Sequence, residues 1–143
     1  MRINDVLAGK ASQQVVTISP GATVRELLQR LAEHNVGALV VSEDGTTVLG
    51  IVSERDVVRR LATDEDCLDA TVSAIMTPDV HTAAPTATIT ELMSVMTQRR
   101  FRHVPVVTEG KLTGIVSIGD VVKSRMSELE FERDQLDSYV HQT

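Results

Sequence analysis

Ser53 with Asp56, and Ser117 with Asp120, are the residues of this chain whose types and spacing could do chemistry. Each pair closes a Gly-Ile-Val-Ser-X-X-Asp run, from Gly50 to Asp56 and from Gly114 to Asp120. The apolar stretch reads as a strand that passes into a helix. The serine hydroxyl and the next free N–H groups then stand at a helix N-terminus, where the positive end of the dipole favours a phosphate. An aspartate three residues later lies about one turn further on. Its carboxylate only accepts hydrogen bonds, which suits a paired donor such as the cis-diol of a ribose. Phosphate at the serine and ribose at the aspartate together describe a nucleotide. The same residues have a purely structural use, since serine as N-cap and aspartate in the first turn stabilise a helix with no ligand present. Recurrence at two matching places, each preceded by glycine, weighs toward a pair of pockets.

The elements that must position these residues are themselves duplicated. Pro20, Val24, Glu26, Leu27, Gly45, Gly50, Ser53 and Asp56 are answered in order by Pro85, Ile89, Glu91, Leu92, Gly110, Gly114, Ser117 and Asp120. Repetition on this scale outranks other signals. Val15 to Ile18 reads as a short strand ended by Ser19-Pro20-Gly21. Thr23 with Glu26, and Thr88 with Glu91, are capping boxes. Helices follow whose apolar faces are Val24, Leu27, Leu28 and Leu31 in one copy and Ile89, Leu92, Met93 and Met96 in the other. Strand-like runs then span Ala38 to Val41 and Val104 to Val107, turns fall at Asp44-Gly45 and Glu109-Gly110, and second runs span Val48 to Val52 and Leu112 to Val116. All four runs look buried on both faces. Helices at Glu54 to Leu61 and from Ile118 onward complete a β-α-β-β-α unit in each half. Ile3 to Leu7 resembles Val72 to Met76, so each repeat also opens with a short helical turn. The polar stretch Thr63 to Thr71 reads as the link. The fold class is therefore mixed α/β, with a first repeat over 1–66, a second over 67–126 and a helical extension over 127–143. Along the terminal helix Val122, Met126, Leu129, Leu136 and Val140 alternate spacings of four and three, with Arg133 in the missing slot, a heptad-like seam suited to a second copy of the chain, the alternative being a helix folded back over its own domain.

Composition sets the limits. The 143 residues suit one compact domain built of two halves, and with aromatics at 2% and no Trp the core must be aliphatic. A net charge of −6 argues against a general nucleic-acid or anionic-membrane surface. Cys67 is the one cysteine, which excludes an internal disulfide, and the scatter of His34, His81, His103 and His141 makes a metal site unexpected. No signal peptide and no membrane-spanning run is evident, and the expected location is cytoplasmic. No nucleophile with a base and no paired-carboxylate acid and base is in view, so the protein reads as a non-enzyme.

The duplicated unit, with Gly-Ile-Val-Ser-X-X-Asp closing each copy and Arg-His-Val-Pro-Val from Arg102 to Val106, strongly resembles a pair of CBS domains, regulatory modules that bind adenine nucleotides. The resemblance covers nearly everything from Met1 to Met126. It implies repeats packed with pseudo-two-fold symmetry and two clefts, each joining the Ser-X-X-Asp of one repeat to the strand starts of the other. Asp56 and Asp120 match the ribose-binding aspartate, Ser53 and Ser117 the hydroxyl that contacts phosphate, and Thr17 and Thr82 the strand-start position near the base. Ile51, Val52, Ile115 and Val116 would line the adenine slot. Arg102 and His103, ahead of Pro105, would join Ser53, Arg55 and Asp56 at a cationic site, with His81 beside Thr82 near the same cleft. The alternatives are a solvated helix end for Arg99, Arg100 and Arg102 and a satisfied core histidine for His103. Because Gly37, Ala38 and Gly119 carry no charge where Arg102, His103 and Arg55 stand, the Asp120 cleft is expected to lack cations, to rank behind the Asp56 cleft and to take adenosine, a single phosphate or nothing. The implied ligand is AMP, ADP, ATP or NAD, with S-adenosylmethionine ranked behind them. The implied role is a stand-alone sensor that signals through homodimer or partner packing to an unidentified protein target, against an interaction protein with degenerate clefts or a small nucleotide hydrolase.

Overall fold

The computed structural model describes residues 1–10 and 15–141. Its elements run in chain order α1 (Ile3–Ala8), β1 (Thr17–Ile18), α2 (Val24–His34), β2 (Ala38–Val41), β3 (Gly50–Ser53), α3 (Glu54–Leu61), a 3-10 turn (Cys67–Asp69), α4 (Val72–Ile75), α5 (Ile89–Arg99), β4 (His103–Thr108), β5 (Lys111–Ser117) and α6 (Ile118–His141). The duplicated order expected from the sequence is present except for the first strand of the second copy. Residues 142 and 143 of the expected extension lie outside the described residues.

Local chemistry sets the main boundaries at equivalent places. The Thr23 hydroxyl accepts from the Glu26 N–H at 3.1 Å while the Glu26 carboxylate accepts from the Thr23 N–H at 3.2 Å, and Thr88 with Glu91 repeats both bonds at 3.2 Å. Helix α2 ends on Asn35 and α5 on Arg100, both in the left-handed region, at φ 53° and 58°. In the first hairpin turn Gly45 takes φ 82°, and the Asp44 carboxylate accepts from the N–H groups of Thr46 and Thr47, each at 2.8 Å. Those bonds hold Asp44 well below the usual carboxylate range.

The first repeat carries a three-stranded sheet in which β1 runs parallel and β3 antiparallel to β2. The second has only β4 and β5, antiparallel, with a register shift between Val106 and Val107. Its counterpart of β1 is reduced to one parallel bridge between Ala83 and Val106. Burial corrects one expectation: β2 is buried throughout, but β3 and β5 alternate. Val52 and Val116 are fully buried in the two cores while their neighbours Ile51 and Ile115 are half-buried, because successive side chains on a strand point to opposite faces.

The cores do not follow chain order. Ile3 and Val6 of α1 are buried with Ile89, Leu92, Val104 and Val116 of the second repeat, whereas Val72 of α4 is buried with Val24, Leu27, Leu39 and Val52 of the first. Backbone bonds fix both exchanges alike. Ile3 N–H reaches Ala87 O at 2.9 Å and Ile89 N–H reaches Met1 O at 3.1 Å; Val72 N–H reaches Ala22 O at 2.8 Å and Val24 N–H reaches Ala70 O at 2.9 Å. Two glycines are explained by the same exchange. A Cβ on Gly114 would stand 2.8 Å from Leu7 Cδ1, and one on Gly50 would stand 2.8 Å from both Met76 Sδ and the Thr77 carbonyl. The stretch expected to be a polar link also joins the first core, with Cys67 fully buried and Leu68 packed against it.

Helices α3 and α6 start alike and end differently. The first stops at Leu61, whereas α6 continues through 24 residues with Val121 its buried residue. Met126, Leu129, Phe131 and Leu136 are exposed along it, so the tail is not a cover folded back on its own domain.

Candidate functional site

Both Ser-X-X-Asp units form as capped helix starts. The Asp56 carboxylate accepts from the Ser53 N–H at 2.8 Å and lies 3.1 Å from its hydroxyl, and Asp120 accepts from the Ser117 N–H at 2.9 Å while its own N–H donates to Ser117 Oγ at 3.1 Å. The helix-stabilising use of these residues is therefore present in both copies, and it does not exhaust them. Among the described residues the hydrogen bonds to either carboxylate fall on Oδ2, so Oδ1 faces no described donor and can accept from a ligand.

Around Asp120 the repeats enclose a cleft of about 580 Å³. Its apolar wall is Val16, Val36, Ala38 and Leu39 of the first repeat facing Ile115 of the second, and its polar side carries Asp120, Ser124, Lys123 and Lys10. The expectation of a cleft without cations is thus corrected. Lys10 Nζ donates to Asp120 Oδ2 at 3.0 Å and to the Ile115 carbonyl at 2.9 Å, both side chains being about one quarter exposed. Burial pushes the Asp120 carboxyl upward, but the bonds from the Ser117 N–H and from Lys10, with the charge of Lys10, outweigh it and hold the group below its ordinary value. Reading Gly37, Ala38 and Gly119 as uncharged missed this lysine because it lies 110 residues from its partner in sequence. One signal could have found it. Aligning Ile3 with Val72 sets Lys10 opposite Asp79, a reversal of charge at matched positions.

Asp79 borders the corresponding hollow on the other side, about 460 Å³, together with Pro78, His81, Thr82, Arg99 and Phe101. Ser53 and Asp56 are not part of its lining. His81 and Phe101 stack there with ring centroids 6.2 Å apart, at the places that Val16 and Val36 hold in the Asp120 cleft. Thr82 is exposed and Thr17 half-buried on β1, where it pairs with Val40. Pro105 is buried on β4 opposite Ile115, and its carbonyl accepts from the Ala83 N–H at 3.0 Å. Ile51 exchanges backbone bonds with Thr77 at 3.0 and 2.9 Å, so that strand edge is already paired.

His103 takes a central place. On β4 it pairs with Ser117, and its Cε1 would lie 3.8 Å from a Cβ on Gly37, close to Glu54 at the start of α3. The charges acting on it are those of Asp120, Arg102, Glu54 and Lys10, so it stands at the junction of the repeats and not solely with Asp56. Burial pushes its pKa below 6.5, with Arg102 and Lys10 acting the same way and Asp120 and Glu54 opposing. Arg55 and Arg102 are exposed.

Among the described residues no group of His, Cys, Asp and Glu is arranged to hold a metal, and no helix is long and apolar enough to cross a membrane. A family model described as CBS domain matches residues 3–63 and again 72–127. The CBS domain-containing protein YhcV of Bacillus subtilis is 32% identical over 80% of this chain and 81% of its own length. The crystal structure of a CBS-domain containing protein from Agrobacterium tumefaciens superposes with a TM-score of 0.83 at 43% identity, covering 87% of this chain and 99% of the other. The CBS domain pair of protein MJ0100, solved in complex with 5′-methylthioadenosine and S-adenosyl-L-methionine, shares the fold at a TM-score of 0.79 and 23% identity over 90% of this chain and 98% of its own.

Proposed function

The chain belongs to the CBS-domain family, and on that premise we propose that it is a regulatory protein without chemistry of its own, which takes an adenine-containing ligand between its repeats, foremost in the Asp120 cleft. The observation that carries this reading is the lining of that cleft. Val36, Ala38, Leu39 and Ile115 offer an aliphatic slot for a flat base, Asp120 offers acceptors to a ribose diol, and Lys10 and Lys123 supply positive charge for a phosphate or carboxylate. The adenosine compounds bound by the CBS pair of protein MJ0100 support the ligand class. AMP, ADP, ATP and NAD share the base and ribose that these contacts would read. The Asp56 side, with the His81–Phe101 stack, Arg99 and the exposed Arg55 and Arg102, is the second candidate position.

The route by which occupancy leaves the domain is α6. It starts at Ile118, directly after the Ser117 cap and beside Asp120, and carries Met126, Leu129 and Leu136 outward as an exposed stripe. A second copy of the chain packed on that stripe would feel a change at the helix start, and a ligand that prefers one packing shifts the populations.

The test is thermal unfolding with AMP, ADP, ATP, NAD and S-adenosylmethionine in turn, with GMP as control, alongside sedimentation of the protein and of Leu129→Glu/Leu136→Glu. A ligand at one hundred times its Kd stabilises by about 2.7 kcal/mol, which raises the melting temperature by several degrees. No rise with any adenine compound sinks the ligand reading. A monomeric wild type at micromolar concentration, with or without adenylate, sinks the dimer relay.

A further inference from the structure

We propose that Lys10 sets the charge preference of the Asp120 cleft, as an internal cation that a ribose diol held across both Asp120 oxygens displaces from Oδ2 and that an anionic ligand re-employs. The inference rests on the nucleotide reading of that cleft and adds a residue which the Ser-X-X-Asp pattern does not contain.

Three observations carry it. Lys10 Nζ is within 3.0 Å of the carboxylate oxygen Oδ2 of Asp120 and within 2.9 Å of the Ile115 carbonyl, so it bridges the ribose acceptor and the apolar wall. Lys10 and Ile115 line not only the 580 Å³ cleft but also a neighbouring cavity of about 230 Å³ with Asn4, Leu7 and Gly114, so the ammonium stands at a partition with room on either side. At the matched position of the other cleft the chain carries Asp79, which can play no such part.

The consequence follows from the cost of leaving charge unpaired. A neutral nucleoside whose paired hydroxyls span both Asp120 oxygens takes the Oδ2 acceptor from a lysine that is only about one quarter exposed, and offers it in return only neutral hydroxyl oxygens. A nucleotide brings its own anion, and Lys10 can exchange the carboxylate for a phosphate oxygen in a charge-assisted bond. Lys10 thus opposes adenosine and favours AMP through one side chain. It also ties occupancy to α1, which Lys10 follows and which packs in the second core.

The experiment is calorimetric titration of adenosine and of AMP into the full chain carrying Asp56→Ala, which removes the ribose acceptor of the other cleft, with and without Lys10→Met. Lys10→Gln is a second charge-removing variant in case the first folds poorly, and Lys10→Arg is the charge-retaining control. The ratio of adenosine Kd to AMP Kd is expected to fall by about tenfold in Lys10→Met or Lys10→Gln, the size of one hydrogen bond to a charged group, and to be kept in Lys10→Arg. An unchanged ratio while both ligands still bind overturns the role of Lys10 and leaves the nucleotide reading standing. Absence of binding by both ligands to the protein with Lys10 in place overturns the nucleotide reading, and this inference with it.

Discussion

At matched positions of the two clefts stand Lys10, bonded to Asp120 at 3.0 Å, and Asp79, bordering a hollow that does not include Asp56. The residues that build the cores show the opposite behaviour. Ile3 answers Val72, Val24 answers Ile89 and Leu39 answers Val104, all buried and all aliphatic. Duplication is retained where packing demands volume and apolarity and in the Ser-X-X-Asp units, and lost at several other positions that border the two clefts. In the Asp120 cleft that space is lined by Val16, Val36 and Lys10; on the Asp56 side the equivalents are His81, Phe101 and Asp79. One backbone frame thereby presents two chemically different sites, one aliphatic with a partly buried cation and one aromatic with an exposed acid at its border.

The largest effect expected from breaking this comparison lies in the frame. Gly50 and Gly114 both accept a side chain of the exchanged helix, but the Thr77 carbonyl 2.8 Å from a Cβ on Gly50 is backbone already bonded to Ile51, whereas Leu7 above Gly114 can rotate. Gly50→Ala should cost about 3 kcal/mol of stability and Gly114→Ala about 1 kcal/mol, within the range for overpacked cores. Urea unfolding checks both, and equal costs would show that the two exchanges are equally rigid.

Next in size is the asymmetry of the clefts themselves. Asp120→Ala should weaken adenylate binding by about 1.5 to 3 kcal/mol, the range for hydrogen bonds to charged groups, and Asp56→Ala by less. Calorimetry on both variants decides the ranking, and a greater loss in Asp56→Ala would move the principal site to the aromatic side.

The smallest effect concerns His103, which stands at the junction of the repeats. Its folded pKa lies below the ordinary 6.5, so the unfolded chain takes up a proton first as the pH falls, and stability declines from about 6.5 downward until the folded state also protonates. Asp120 acts in a separate window. Its folded pKa lies below 3.8, so the stability it adds is present above that value and is lost as the pH falls through its lower folded pKa. His103→Gln should flatten the decline below pH 6.5 and leave the more acidic limb unchanged, as read from urea midpoints across the range. An unaltered slope in His103→Gln would assign that titration to another group.

Much of this molecule is written in its local sequence because the causes are local. The capping boxes at Thr23 and Thr88 need only a residue and its third neighbour, the turn at Gly45 needs only a left-handed backbone, and the helix starts at Ser53 and Ser117 follow from the Ser-X-X-Asp spacing itself. Repetition then carries each local reading to its counterpart. The face that a strand residue presents is also local, yet a continuous apolar run conceals it. Val52 and Val116 belong to the cores and Ile115 to the cleft, which only the pairing of the sheets distinguishes. What only the tertiary structure decided are the contacts between residues remote in the chain: α1 seated in the second core, α4 and Cys67 in the first, His103 at the junction of the repeats, and Lys10 on Asp120. These depend on how two copies of one unit are set against each other, and periodicity within a single segment carries no information about which other segment will face it.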